Sequence, residues 1–222
     1  ARETVAGSDV TLSGTVRIGA PDGFGSFFLA PRIKAFCEQH PELEVQIVAM
    51  PRIFNLSKRE ADLAIGLSRP AEGRLVSRKL SDYHLGLYAS RDYLDNAPPI
   101  RARRDLAAHS FISYIDDLIF APELDYMPQV SREIYARLKS SNLIAQMNAT
   151  TAGAGICVLP RFMAITEPRL VPVLEGTVLL KRSFWLIIHA DQQHLARIRS
   201  VTAHIVGAAQ ADRSVLLDPV HD

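Results

Sequence analysis

The sequence is short of cysteine, of charge imbalance and of long apolar stretches, and each shortage removes a class of protein. Two cysteines in 222 residues cannot staple a disulfide scaffold, and Cys37 and Cys157 each sit among core-type apolar residues, which fits buried thiols in a reducing compartment. With 25 basic residues against 24 acidic ones the formal net charge is +1, and no block of Lys or Arg occurs. The electrostatic footprint of a nucleic-acid surface is therefore missing from this chain. Its apolar runs, such as Phe27 to Ala30 and Ile156 to Leu159, stop far below the roughly 18 residues that span a bilayer, so no membrane partner is expected. Ala1 to Leu12 contains Arg2, Glu3 and Asp9 and no apolar core with a cleavage site, so it is not an intact signal peptide; a mature exported protein would read the same way. No segment is polar and simple enough to be read as disordered.

Catalytic and cofactor signatures are scarce as well. The seven histidines are scattered and neither cysteine has a partner at ligand spacing, so no metal is expected. His189 and His194 read as a structural pair. No phosphate loop and no Gly-x-Ser-x-Gly elbow occurs. Gly23-Phe-Gly-Ser26 follows a strand and opens a helix, as a dinucleotide fingerprint does, yet the last glycine is replaced by Phe28, so no cofactor is expected. The two glycines read either as a plain tight turn or as a turn whose backbone also touches a ligand. Asp116 and Asp117 form an adjacent carboxylate pair that reads as solvated loop, with no second catalytic group to accompany it. Cys37 shares a helical face with Ile33 and Phe36, which argues for packing rather than redox sensing.

What the chain does have is an alternation of strands and helices. Gly14 to Ala20 and Leu43 to Ala49 alternate as strands, and between them Phe28, Leu29, Ile33, Phe36 and Cys37 recur at helical spacing, from a start near Gly25-Ser26 to a stop at His40-Pro41. A connection of that length predicts parallel pairing, and Ala61 to Gly66 adds a third strand after a short helical stretch over Asn55 to Glu60. Leu75 to Leu80 and His84 to Ser90 read as two further strands, with the crossing to a second lobe at Arg91 to Leu94. That lobe repeats the pattern: a short helix over Arg104 to Ala108, a strand at Ser110 to Tyr114, another at Ile134 to Lys139, a helix over Asn142 to Ala152 and a buried strand from Ala154 to Leu159 closed by Pro160. Leu170 to Val173 follows, Phe184 to His189 returns the chain to the first lobe, and Gln192 to Ala209 is a long last helix whose Leu195, Ile198 and Val201 face the core.

Two crossings make a cleft that opens and closes by bending at element ends. In open α/β sheets the crevice lies beyond the carboxyl ends of strands, where helix N-termini present bare amides. Pro21 to Ser26, Met50 to Arg52, Leu67 to Arg69, Tyr114 to Asp116 and Ser140 to Asn142 satisfy that rule. Arg52 and Arg69 offer forked donors to a carboxylate or phosphate, or else simply face water. Ser141 and Asn142 start a helix whose free amides favour anions, or else merely cap it.

Taken in order, Gly14-Thr-Val-Arg-Ile-Gly19, Phe28-Leu-Ala-Pro-Arg-Ile-Lys-Ala-Phe36 with His40-Pro41, Leu43-Glu-Val45, Ala61-Asp-Leu-Ala-Ile-Gly66 and Ala152-Gly-Ala-Gly-Ile-Cys-Val-Leu-Pro160 resemble the effector domain of LysR-type transcriptional regulators, over about Gly14 to Gly207. The resemblance implies an α/β, two-lobed type 2 periplasmic-binding-protein-like fold. It implies a small-molecule effector in the interlobe cleft, a cytoplasmic location, and contact with DNA only through a winged helix-turn-helix preceding residue 1 and absent from this chain. Residues 1–13 are then the end of a linker, 14–90 with 190–210 lobe I, 91–189 lobe II and 211–222 a C-terminal tail. A homodimer or homotetramer is implied, with the Phe28 to Gln39 helix of one copy antiparallel to the Asn142 to Ala152 helix of another. The family's effector contacts fall on Asp22, Phe24, Gly25, Ser26, Pro51, Arg52, Leu67, Ser68, Tyr114, Ser141 and Asn142. Acidic Asp22 and aromatic Phe24 suit an effector less purely anionic than the carboxylates common in the family. The rival readings are a periplasmic-type solute-binding protein of the same fold and an enzyme on a related scaffold, for which no catalytic constellation can be named.

Overall fold

A computed structural model describes residues 11–71 and 73–217. The expected linker at 1–13 therefore falls mostly outside the described residues, as does the end of the expected tail. β1 (Gly14–Ala20) hides Val16, Ile18 and Ala20 completely. Helical backbone begins at once, at Asp22, runs through a π-helical stretch at Phe24–Leu29 and continues as α1 (Ala30–Gln39), with Pro31 at the junction of the two helical forms. The helix ends at His40, whose ring lies 4.6 Å from that of Phe36. It thus starts earlier than the sequence suggests, because Gly23 and Gly25 are held in helix rather than in a turn. A Cβ on Gly25 would stand 2.7 Å from Cβ of Ala49, so what that glycine supplies is close approach between helix and strand.

β2 (Leu43–Ala49) and β3 (Leu63–Gly66) both pair with β1 in parallel, as the long connections require. The stretch between them contains only a short 3-10 turn at Leu56–Lys58, capped by the Asn55 side chain. β4 is one strand of 16 residues, Leu75–Ser90, where alternation had suggested two; the register slips between Lys79 and Ser81, and the strand carries on. Ser90 caps α2 (Arg91–Asp95), accepting from the Tyr93 amide at 3.2 Å.

In the second half, a 3-10 stretch at Arg103–Ala108 leads to β5 (Phe111–Ser113), then α3 (Met127–Val130), β6 (Ala136–Lys139), α4 (Leu143–Thr151) and β7 (Ile156–Pro160). α5 (Arg161–Ala164), β8 (Leu170–Val173) and the long β9 (Leu179–His189) follow. Residues 191–194 form a turn, so the last long helix, α6 (Ala196–Ala211), begins later than its apolar spacing suggests. Beyond it Arg213–Leu217 forms a further helix, α7, with Leu216 fully buried. No described helix is long and apolar enough to cross a membrane.

All strands join one nine-stranded sheet in the order β2-β1-β3-β9-β4-β7-β5-β6, with β8 on β4. β1, β2 and β3 make one parallel half and β5, β6 and β7 the other, and antiparallel β4 and β9 run between them. Where those two strands pass from half to half, alternation gives them two different faces. One carries Tyr83 and Phe184, stacked with centroids 4.0 Å apart. The other carries Asp82, whose carboxylate meets Lys79 at 2.6 Å, Lys181 at 3.1 Å and the Ser183 hydroxyl at 2.5 Å.

Candidate functional site

The carboxyl ends of β1, β3, β5 and β7 deliver Pro21, Leu67, Tyr114 and Pro160 to one place between the halves. Its centre is almost solid. Phe24 packs on Phe28 at 5.0 Å and on Phe184 at 4.5 Å, Phe162 sets its edge against Tyr83, and Tyr114 leans on Tyr126 at 6.2 Å. These rings leave a hollow of about 20 Å³, room for one water.

Asp22 closes this centre from the first-half side. It is 3% exposed, and its Oδ2 accepts the backbone N–H of Leu143, the first residue of α4, at 2.7 Å. Burial raises its pKa above the ordinary aspartate range, and the amides of Leu143, Gly23 and Ile144 pull it part of the way back. Burial likewise raises the phenols of Tyr83, Tyr114 and Tyr126, so all three are neutral hydroxyls at physiological pH.

Beside the closed centre lies an open cavity of about 290 Å³. Pro21, Leu67 and Phe120 line both spaces. The cavity's first-half walls are Phe54, Leu56, Ala64 and Gly66, with Phe120 and Ala121 facing them from the second half and Ile187 from β9. Ser68 and exposed Arg69 supply its polar edge, and Ile53, 71% exposed, stands on its rim. Phe54 reaches the wall because Gly19 has no side chain: a Cβ there would sit 2.5 Å from Cγ of the ring. A separate hollow of about 120 Å³, lined by residues that include His84, Tyr88 and Arg161, shares no residue with these two spaces.

Of the residues singled out from the sequence, Asp22, Phe24, Leu67 and Tyr114 line the closed centre, and Leu67 and Ser68 line the open cavity. Arg69 stands at the edge of that cavity, and the remaining expected contacts, Gly25, Ser26, Pro51, Arg52, Ser141 and Asn142, line neither space. Gly25 faces β2, Ser26 is exposed on the helix, and Pro51 is half-buried. Arg52 is taken by Glu60 at 2.9 Å and lies 4.8 Å from the Phe54 ring centre. Half-buried Ser141 and Asn142 precede α4, where the Asn142 side chain accepts the Ala145 amide at 2.9 Å. Asp116 pairs with Lys139 at 2.7 Å and is exposed. Cys157 is buried, its thiol pushed up to about 12, and Cys37 is a half-buried free thiol. Among the described residues no three His, Cys, Asp or Glu side chains are placed to hold a metal ion.

Sequence reasoning missed Tyr83 and Phe184, which form the floor, and the Phe120 to Tyr126 segment, which forms the opposite wall. The signal available for the first two was position: each lies mid-strand at a crossing between halves, on the face opposite the charged Asp82.

Comparison with known proteins gives a consistent picture. The chain is 28% identical over 196 residues to the HTH-type transcriptional regulator PtxR of Pseudomonas aeruginosa, covering 85% of this chain and 62% of that protein, so it spans about three fifths of that relative's length. Its fold superposes on the regulatory domain of CrgA, a LysR-type transcriptional regulator from Neisseria meningitidis, with a TM-score of 0.78 at 22% identity, covering 88% of this chain and 98% of that one. The effector domain of AmpR of Pseudomonas aeruginosa matches with a TM-score of 0.72 at 15% identity, over 90% of this chain and 97% of that one. The architecture is the two-lobed type 2 periplasmic-binding-protein-like fold of such domains. The LysR substrate binding domain model matches residues 10–210, and the chain belongs to that family.

Proposed function

We propose that this chain is the effector-sensing domain of a LysR-type transcriptional regulator, in which a small molecule held between the lobes shifts the balance between two lobe arrangements and so alters transcription. The observation that carries the reading is the 290 Å³ cavity at the carboxyl ends of the first-half strands, with walls contributed from both halves. A guest there gains contact with Ser68 on one side and Ala121 on the other only while the halves stay close, so it favours one arrangement over another. A hundredfold preference supplies about 2.7 kcal/mol, which suffices when the two arrangements are nearly balanced. Binding without turnover is all this requires, so the domain is read as a sensor and not as an enzyme. We take the effector contacts to come from Leu67, Ser68 and the other cavity walls, with Asp22, Phe24 and Tyr114 packed in the closed centre behind them.

For the lobes we place the first crossing inside β4, next to the register slip at Lys79 and Ser81 rather than at residue 91, because the strand beyond it pairs with β7 and β8, and we keep 190–210 with the first lobe. The assembly is proposed as a homodimer or homotetramer, α1 of one copy lying antiparallel to α4 of another. Support comes from the outward faces: Lys34, Ala35 and Glu38 on α1 and Ala145 and Asn148 on α4 are exposed. DNA is contacted by another part of the whole protein, in keeping with the near-neutral charge of this chain, and that implies a cytoplasmic site of action.

A thermal-shift screen against a metabolite library tests the reading, since a ligand bound only by the folded state raises the midpoint. A hit whose effect disappears in Ala121→Phe, which fills the cavity, supports it. A hit that binds this variant as tightly as the parent would move the site elsewhere.

A further inference from the structure

We propose that Asp22 permanently occupies the position at the start of α4 where an anionic effector would dock, and that it thereby restricts the effector to molecules with an uncharged inner part; the proposal rests on the interlobe reading above.

α4 has nine residues, Leu143–Thr151, and its first turn leaves N–H groups without partners inside the helix. The Asn142 amide goes to the Ser140 hydroxyl at 3.1 Å, the Leu143 amide to the Asp22 carboxylate at 2.7 Å and the Ala145 amide to the Asn142 side chain at 2.9 Å. The remaining amide, that of Ile144, also acts on Asp22. Three of the four donors that a carboxylate or phosphate would use at this helix end are therefore engaged, and the partner of the first helical residue, Asp22, is carried in from the other half of the molecule, 121 residues away in sequence.

Space gives the same answer. Next to Asp22 the aromatic rings leave about 20 Å³, too little for a carboxyl group, while the neighbouring cavity offers about 290 Å³, enough for roughly ten atoms of water size. The inner walls of that cavity are Phe54, Leu56, Ala64, Leu67, Phe120 and Ile187, none of which can pair with a charge. Ser68 and Arg69 stand at its edge, and Arg69 is exposed. A molecule bound there presents an apolar body inward and confines its polar group to the edge, away from α4.

The test uses formate and acetate as probes and reads the backbone amide signals of Leu143 and Ile144 by NMR in the folded domain. Wild type should show no change at these amides. Asp22→Ser, which vacates the position and leaves room for a small carboxylate, should show saturable shifts there, with apparent affinity at least about tenfold above wild type. Asp22→Asn keeps an acceptor oxygen in place, should behave as wild type, and covers the case in which the serine variant does not fold. Saturable shifts at Leu143 in wild type, or a folded Asp22→Ser that gives none, would overturn the proposal. Failure of the interlobe reading has a different signature: no metabolite would perturb Phe54, Ala64 or Ile187, whatever Leu143 does in the serine variant.

Discussion

Tyr83 and Phe184 stack nearly parallel, 11° between ring planes and 4.0 Å between centroids, one on each of the two strands that link the halves. They are diagonal neighbours, since Tyr83 pairs with Arg182 and Phe184 with Ser81. Both rings are buried and both line the closed centre, so the contact joins sheet pairing to cleft packing. Phe184→Ala is expected to cost about 3–5 kcal/mol, with a coupling to Tyr83→Ala of about 0.5–1.5 kcal/mol in a double-mutant cycle. Urea unfolding of the four proteins measures both, and strictly additive costs would show that the stack contributes nothing beyond burial.

Gly19 and Phe54 make a second such pair. Gly19→Ala would bring a methyl to 2.5 Å from the ring, which must then swing into the 290 Å³ cavity. The expected outcome is a stability loss of about 1–3 kcal/mol together with weaker binding of any cavity ligand. Adding Phe54→Leu should recover part of the stability. Unchanged ligand affinity in the folded alanine variant would show that Phe54 does not shape the site.

Asp82 should make the protein acid-labile over a narrow window. Burial raises its pKa, but hydrogen bonds from Lys79, Ser183 and Lys181 and the Lys79 charge outweigh burial and hold it at about 2, against an ordinary value of 3.8. Because the folded value lies below the unfolded one, the stabilisation is complete above pH 4 and is lost as pH falls towards 2. Its size is about 2 kcal/mol. Unfolding free energies of wild type and Asp82→Asn should converge across that interval, and parallel curves would argue against the charged cluster.

Asp22 has the opposite sign. Its pKa is raised by burial, so its contribution is greatest below the ordinary value of 3.8 and declines as pH rises through the folded value. Asp22→Asn should therefore gain on wild type between pH 4 and pH 7. A difference that stays constant over this range would mean that the carboxyl is better solvated than its burial indicates.

The parallel strands and the two-lobed plan were legible because Gly14 to Ala20, Leu43 to Ala49 and Ala61 to Gly66 carry period-two patterns, with connections long enough for parallel pairing. About half of the expected contact set reaches the two spaces: Asp22, Phe24, Leu67, Ser68 and Tyr114 do, whereas Arg52 is held by Glu60 and Gly25 is turned towards β2. Strand ends can be read from local patterns, but the direction of a side chain in the residues that follow depends on tertiary partners that no local window contains. The same limit hid β4. Its slip at Lys79 and Ser81 interrupts the alternation, so one strand reads as two and the mid-strand Tyr83 is lost between them.

The long run of β4 alongside β9, from Leu75 opposite His189, past the slip at Lys79 and Ser81, to Gly86 opposite Leu179, has a bearing on how the molecule comes apart. Neither parallel half owns a complete set of backbone partners for its innermost strand, because β3 leans on β9 and β7 leans on β4. Melting one half would strip the ladder that the other depends on. A fluorophore at Trp185 and a reporter on α4 should thus trace a single denaturation curve, with no plateau between them.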